Sequence, residues 1–341
     1  MALSAAEAAK TCRAKLIASV QSIWTEQWGL APNAKTPRAK GERVAIVLSG
    51  GVDTCAVVEA LRENGFVVDL ALTVYCDPSA TDRPYAPLIA KSYGVDHVEI
   101  ECGKDELLQG PLQLCVEALR SFDPMQIRNS MVVARALMEA KERGMRYVLT
   151  GDGSDELMGG YSFSWATEDP LWTQKRGEMC SDWFFSAPVL GEALGLKVTS
   201  PFTAPIFADW ALSSLDKALC IGKRDLEAAP GEARQHRQTG KLPLREAFPE
   251  AISAWRRKDP IEVGSGATVL GKEEGRYFSD LINAEELLQE KQRLLREDKV
   301  VIRNPEHLYY YRVFRQALLP YLWSMAGTSQ VNKLGSRYWS S

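Results

Sequence analysis

The chain has 341 residues, 45% of them apolar and 25% charged, with 41 Lys and Arg against 44 Asp and Glu for a formal charge of −3. That length suits one large domain or two ordinary ones, and the composition is that of a globular protein with enough apolar material for a core, which excludes wholesale disorder. The balanced charge argues against a surface built for duplex nucleic acid or an anionic membrane, and no apolar run approaches the ~18 residues of a membrane span.

Residues 4 to 28 carry Leu16, Val20, Ile23, Trp24 and Trp28 at spacings of three and four, which predicts a helix. A breaker-rich stretch from Gly29 to Gly41 reads as an exposed linker. Arg43 to Leu48 is a short apolar run of the kind found in a buried parallel strand, followed by Ser49-Gly50-Gly51 and a helical pattern from Val52 to Asn64. Further strands are expected at Val67 to Tyr75, His97 to Glu101 and Arg146 to Thr150. Helices are expected at Tyr85 to Tyr93 and Gln126 to Arg143. Strands alternating with helices predict right-handed crossovers and an α/β fold, a twisted parallel sheet flanked by helices. After about residue 205 helical patterns dominate and no convincing strand remains; Asn283 with Glu286 three residues on reads as a helix cap. The division predicted is an N-terminal helix and linker over 1–42, an α/β core over 43–204 and a mostly helical part over 205–341.

Seven cysteines lie scattered without a C-x-x-C pair, as expected of free thiols in a reducing compartment. The N-terminus lacks an apolar leader, so a cytoplasmic location is expected. Only three His are present, which leaves a zinc site or a His-centred triad little raw material. Chemistry must rest on carboxylates, lysines, backbone amides and a hard metal.

Two segments offer that chemistry. In Ser49-Gly50-Gly51-Val52-Asp53-Thr54 a strand turns into a helix whose first N–H groups and partial positive charge suit a phosphate, with Thr54 adding a hydroxyl. Asp53 would repel that phosphate unless a cation such as Mg²⁺ lay between them. The bland alternative is a glycine turn with an Asp cap. At the end of another strand, Thr150-Gly151-Asp152-Gly153-Ser154-Asp155-Glu156-Leu157-Met158-Gly159-Gly160-Tyr161 sets three acidic residues among four glycines. The carboxyl edge of a parallel sheet is where ligands bind, so Asp53 and Asp155 are expected to hold one Mg²⁺ from two sides, against the alternative of a solvated acidic loop. The apparent phosphate-loop near-miss over Gly266 to Glu273 has Glu where Ser or Thr is needed and reads as chance.

These two segments, together with Leu244-Arg245-Glu246-Ala247-Phe248, Trp255-Arg256-Arg257-Lys258 and Glu306-His307-Leu308-Tyr309-Tyr310-Tyr311-Arg312-Val313-Phe314, resemble the synthetase domain of the asparagine synthetases, whose relatives include β-lactam synthetases. The likeness runs over roughly residues 43 to 320. It implies an ATP pyrophosphatase fold of the adenine nucleotide α-hydrolase type, with ATP and Mg²⁺ as cofactors. It also implies a ligase that adenylates a small carboxylate and transfers the acyl group to ammonia or an amine, releasing pyrophosphate and AMP. By the same likeness Ser49, Gly50, Gly51 and Thr54 hold pyrophosphate, Asp53 and Asp155 hold the metal, and Val47, Thr150 and Gly151 contact the nucleoside. Lys258 then stabilises charge at the α-phosphate, with a plain surface lysine as its alternative. Asp152 is placed to take a proton from the attacking nitrogen. Arg128 and Tyr161 stand at positions of substrate or structural support, and for Arg128 a surface salt bridge competes.

The likeness fails on the carboxylate side. Thr199-Ser200-Pro201-Phe202-Thr203-Ala204 and Phe185-Ser186-Ala187-Pro188 lack the Arg and the Asp or Asn usual in the family, which puts aspartate in doubt as substrate. The short stretch before the first motif has no space for a glutaminase, so nitrogen is expected from free ammonia, a separate ammonia-supplying protein or an amine substrate. The aromatic group Phe163, Trp165, Trp172, Trp183, Phe184 and Phe185 reads as core or subunit-contact material, compatible with a homodimer, with an acceptor pocket as the alternative. Intramolecular ring closure of the β-lactam synthetase kind needs no glutaminase. An RNA-modifying ATP pyrophosphatase is the alternative enzyme class, with Cys55 as its thiol nucleophile, although a helix position without a partner Cys makes Cys55 read rather as a buried small side chain; an inert homologue used for binding is the non-enzymatic alternative. Low charge speaks against the RNA reading and intact acidic motifs against the inert one.

Overall fold

The computed structural model describes residues 3–32, 38–270 and 276–325. Five strands, β1 (Val44–Val47), β2 (Leu70–Tyr75), β3 (His97–Glu101), β4 (Tyr147–Leu149) and β5 (Lys197–Thr199), form one sheet in the order β3-β2-β1-β4-β5. Every pairing is parallel; Ala45 faces Leu70 across β1 and β2, and Val44 faces Tyr147 across β1 and β4. Parallel neighbours need a crossover, and helices supply it: α1 (Ala5–Ser22) precedes the sheet, α2 (Val52–Glu63) joins β1 to β2, α3 (Ala86–Tyr93) joins β2 to β3, and α4 (Gly110–Leu119) with α5 (Pro124–Glu142) lead to β4.

Both faces of the sheet are covered, which is why its strands read as continuous apolar runs. Val44 and Ile46 point into one core with Leu16, Trp24, Val57 and Ile89, whereas Ala45 points into the other with Leu72, Ile127, Met131 and Leu137. Helix α5 buries Ile127, Met131, Ala134 and Leu137 at spacings of three and four, and Asp123 caps it by accepting from the Gln126 N–H at 2.9 Å.

The sequence-based expectations need several corrections. The N-terminal helix ends at Ser22 and passes into a π-helical turn over Ile23–Gln27 that carries Trp24 inward. The segment read as an exposed linker contains Arg38, buried in an ion pair with Asp69 at 2.9 Å; residues 33–37 lie outside the described residues. Strand β5 was not expected, being three residues long at the sheet edge. Beyond residue 205 the chain is not all helical: β6 (Gly222–Leu226) and β7 (Gln235–Thr239) form an antiparallel hairpin whose residues are mostly exposed and polar, so it carries no apolar alternation to betray it. The Asn283 cap is present, accepting from Glu286 N–H at 2.9 Å ahead of the helix Ala284–Glu297. The near-miss over Gly266 to Glu273 falls partly outside the described residues, and its described part is a 3₁₀ turn at Ala267–Leu270. No helix among the described residues is long and apolar enough to cross a membrane.

Candidate functional site

The chain leaves β1 toward β2 and β3 on one side and returns on the other side of β1 with β4 and β5. The gap between the carboxyl ends of β1 and β4 is therefore the point where the strand order reverses, and crevices form there. Both glycine-rich segments open into it.

After β1, Ser49 and Thr54 tie the first loop into a fixed shape. The Ser49 N–H donates to Thr54 Oγ1 at 3.2 Å, Thr54 Oγ1 donates to the Ser49 carbonyl at 3.0 Å, and the Gly51 N–H donates to Ser49 Oγ at 3.2 Å. Gly51 is the N-cap of α2 and brings no side-chain hydrogen bond, so the first turn of the helix keeps N–H groups for a ligand. Gly50 is bare for a different reason: a Cβ there would overlap the guanidinium of Arg256 and the Cβ of Tyr85. Arg256 is buried, donates to Asp82 at 2.6 Å and Thr81 at 3.0 Å, and lies 4.6 Å over the ring of Tyr85. A charged guanidinium is thus clamped against the phosphate loop.

After β4, the short helix α6 (Ser154–Met158) lifts Asp155 toward Asp53, and Ser154 Oγ donates to Asp53 Oδ1. Gly151 permits this approach by lying against Asp53 and Thr54. The expected pairing of Asp53 with Asp155 is present, but a third residue, unnoticed in the sequence, stands between them. Lys241 Nζ is 2.6 Å from Asp53 Oδ2 and 2.8 Å from Asp155 Oδ1, and its side chain is 1% exposed. Gly160 makes room, since a Cβ there would overlap Asp155 and the lysine stem. Burial alone would lower the lysine pKa, but attraction by Asp155 and Asp53 outweighs it and raises the pKa, so the ammonium stays charged. Asp155, pushed up by burial, is pulled below the usual carboxylate range by Lys241 and Lys258.

Lys258 is not a free surface lysine. Its Nζ lies 3.4 Å from Asp155 Oδ2 and 5.8 Å over the Tyr161 ring. Tyr161 in turn donates its hydroxyl to Glu156 at 2.7 Å. Asp152 accepts from Thr150 Oγ1 at 2.8 Å, and its own carbonyl accepts from Ser200 Oγ at 2.6 Å, so the departing β5 segment props the second loop. Burial, seconded by Glu156, Asp53 and Asp155, pushes the Asp152 carboxyl up to about 6, the range a general base near neutrality needs. Val47 ends β1 beneath the crevice, partly buried.

Other candidates go elsewhere. Arg128 is engaged by Glu306 through two hydrogen bonds, 3.1 and 2.6 Å, and Tyr310 donates to the same carboxylate at 3.1 Å; the ion pair docks the helix Pro305–Met325 onto α5. Cys55 is buried on α2 with its thiol pushed up by burial, which removes the thiolate a nucleophile requires. Arg245 is buried and donates to the carbonyls of Gly240, Ala254 and Arg256, which couples the Lys241 turn to the segment bearing Arg256 and Lys258.

Mg²⁺ usually takes one or two carboxylates together with substrate phosphates. Asp53 and Asp155 fit that pattern: each keeps 18% of its side-chain surface open, and because Lys241 and Lys258 balance their charge, a divalent ion would be held there together with substrate phosphates. No group of three or more His, Cys, Asp or Glu forms a dedicated metal cage among the described residues.

Residues 38–186 match the family described as asparagine synthase. The chain is 25% identical to the glutamine-hydrolyzing asparagine synthetase B of Escherichia coli K12 over 242 residues, 65% of this chain and 41% of that protein. It is 27% identical to a putative glutamine-hydrolyzing asparagine synthetase of Methanocaldococcus jannaschii over 131 residues, 38% of this chain and 24% of that protein. The chain thus spans at most about two fifths of the length of these curated relatives. Among solved structures, NMN synthetase from Francisella tularensis matches with a TM-score of 0.30 and 13% identity, covering 76% of this chain and 94% of that one. That likeness is too slight to bear on the reaction.

Proposed function

We propose that the chain, whose residues 38–186 match the family described as asparagine synthase, is an ATP-dependent ligase that activates a small-molecule carboxylate as its adenylate and passes the acyl group to ammonia or an amine. The observation that supports this most is Lys241 bridging Asp53, at 2.6 Å, and Asp155, at 2.8 Å, at the reversal of strand order beside a phosphate-type loop.

In the first step a substrate carboxylate oxygen attacks the α-phosphorus of ATP and the bond to the bridging oxygen of the β-phosphate breaks. The charge gathered on pyrophosphate would be met by the α2 N-terminus, with the buried Lys241 ammonium holding Asp53 and Asp155 in place, and Lys258 would offset the charge that builds between carboxylate and α-phosphate. Asp53 and Asp155 would hold Mg²⁺, which when bound screens the polyphosphate. In the second step the nitrogen attacks the acyl carbon, its proton passes to Asp152, and AMP leaves. Fixed charges in a partly buried crevice lower both barriers without having to reorganise.

The test is chromatography of nucleotides after incubation with ATP, Mg²⁺, carboxylic acids and ammonium or amines. Acid-dependent AMP and pyrophosphate in equal amounts are expected, and ADP in their place would refute the reading. Mass spectrometry of the product separates amidation, which depends on added nitrogen, from ring closure, which shows loss of water without it.

A further inference from the structure

We propose that the acid taken by this site has a flat, apolar body and no second carboxylate, and that Trp183 and Phe163 form its seat. This rests on the ligase reading above and concerns the β4–β5 side of the same crevice.

The rings stand at the reacting groups. A Cβ on Gly153 would lie 3.6 Å from Trp183 Cζ3, so the indole edge touches the residue that follows Asp152. Phe202 and the methyl of Thr203 reach the same glycine, and Phe185 packs 5.4 Å from Trp183. On the other flank Phe163 stacks on Tyr161 with centroids 5.4 Å apart and planes 15° from parallel, and Tyr161 is the ring beneath Lys258. Phe163 is 78% exposed. A large ring left in water beside a charged crevice is the informative kind of exposure, because its stacking partner is already fixed by Glu156.

Charge points the same way. Between residues 151 and 204 the cationic residues are Lys175, Arg176 and Lys197. Arg176 is buried, donating to the carbonyls of Leu157 and Leu212 with its guanidinium 4.9 Å over Trp172. Lys175 is exposed on the helix Leu171–Ser181, and Lys197 lies exposed over Tyr147 at 5.7 Å. A second carboxylate on the acid would face Asp152 and Glu156, and residues 151–204 offer no unengaged guanidinium to clamp it. An aromatic body instead buries its faces against Trp183 and Phe163 while its single carboxylate reaches Lys258.

The test measures acid-dependent pyrophosphate release with hydrocinnamate and indoleacetate against L-aspartate and succinate, using intact protein with ATP and Mg²⁺. An aromatic monocarboxylate is expected to exceed aspartate in kcat/KM by at least ~10-fold, the usual reach of an apolar pocket. Phe163→Ala and Trp183→Ala should each raise KM for that acid about 10-fold with KM for ATP unmoved, and Trp183→Phe should restore most of the affinity, which a merely structural indole would not show. Preference for aspartate, or an unchanged acid KM in both alanine variants, overturns this inference and leaves the ligase reading standing. Absence of AMP with every acid overturns both.

Discussion

Two of the buried cation–carboxylate clusters among the described residues lie at opposite ends of the sheet's strands, and they are built for different purposes. Asp69, just before β2, accepts the Arg38 N–H and the Val44 N–H at 2.8 Å each and the Arg38 guanidinium at 2.9 Å. The guanidinium also lies 4.7 Å over Trp24, and both side chains of the pair are at most 1% exposed. Every partner is local to the end of one strand pair, so the cluster is a clamp. Lys241 with Asp53 and Asp155 gathers its members from three distant segments, and the two carboxylates keep 18% of their side-chain surface open. A buried carboxylate filled by three donors of its own fold, as Asp69 is, holds that fold together. A buried charge whose partners still face a crevice is available for a ligand.

Substitutions can break this contrast. The largest effect is expected at Asp53 and Asp155: changing either to Asn should cut AMP formation by about 10²–10³ or more, as removal of one fixed electrostatic contact does elsewhere, with the fold retained by circular dichroism. Lys241→Met should slow turnover and also cost about 3–5 kcal/mol at neutral pH, because it leaves two carboxylates facing each other. Asp69→Ala should lose about 3–5 kcal/mol as well, yet leave KM for ATP unchanged. A raised KM there would erase the distinction between clamp and site.

A smaller, graded effect is expected from Asp152. Its carboxyl sits at about 6, so below that pH it is protonated and cannot accept the nucleophile's proton; kcat should fall on the acid side of about 6, and Asp152→Asn should abolish that limb. Because this pKa is raised, ionised Asp152 disfavours the fold. Wild-type stability relative to Asp152→Asn should therefore decline as pH rises through about 6. Smallest is Arg128→Gln, which should loosen the helix Pro305–Met325 by about 1.5–3 kcal/mol, the value of hydrogen bonds to a charged partner, while the kinetics stay within about twofold.

Much of the fold was legible because burial leaves a pattern. The runs before Ser49 and before Thr150 are apolar throughout since helices cover both sheet faces, and β3 begins and ends where expected. The hairpin Gly222–Leu226 with Gln235–Thr239 was not legible, because backbone pairing holds it and little of it is buried. The site divides the same way. Asp53 and Asp155 stood out as acids among glycines at strand ends. Lys241 did not, since its meaning comes from a contact with a residue 188 positions earlier; the Gly240-Lys241 pair just ahead of Leu244-Arg245 was the only hint. Arg256 was hidden in a basic run that looked solvated, and only packing against Gly50 and Tyr85 reveals its place.

The central claim is that a carboxylate oxygen attacks the α-phosphorus of ATP. Supplying the acid with isotopically heavy carboxylate oxygen and reading the products by mass spectrometry tests this directly. Adenylation predicts one heavy oxygen in AMP and none in pyrophosphate. Unlabelled AMP, or label in inorganic phosphate released with ADP, would contradict it.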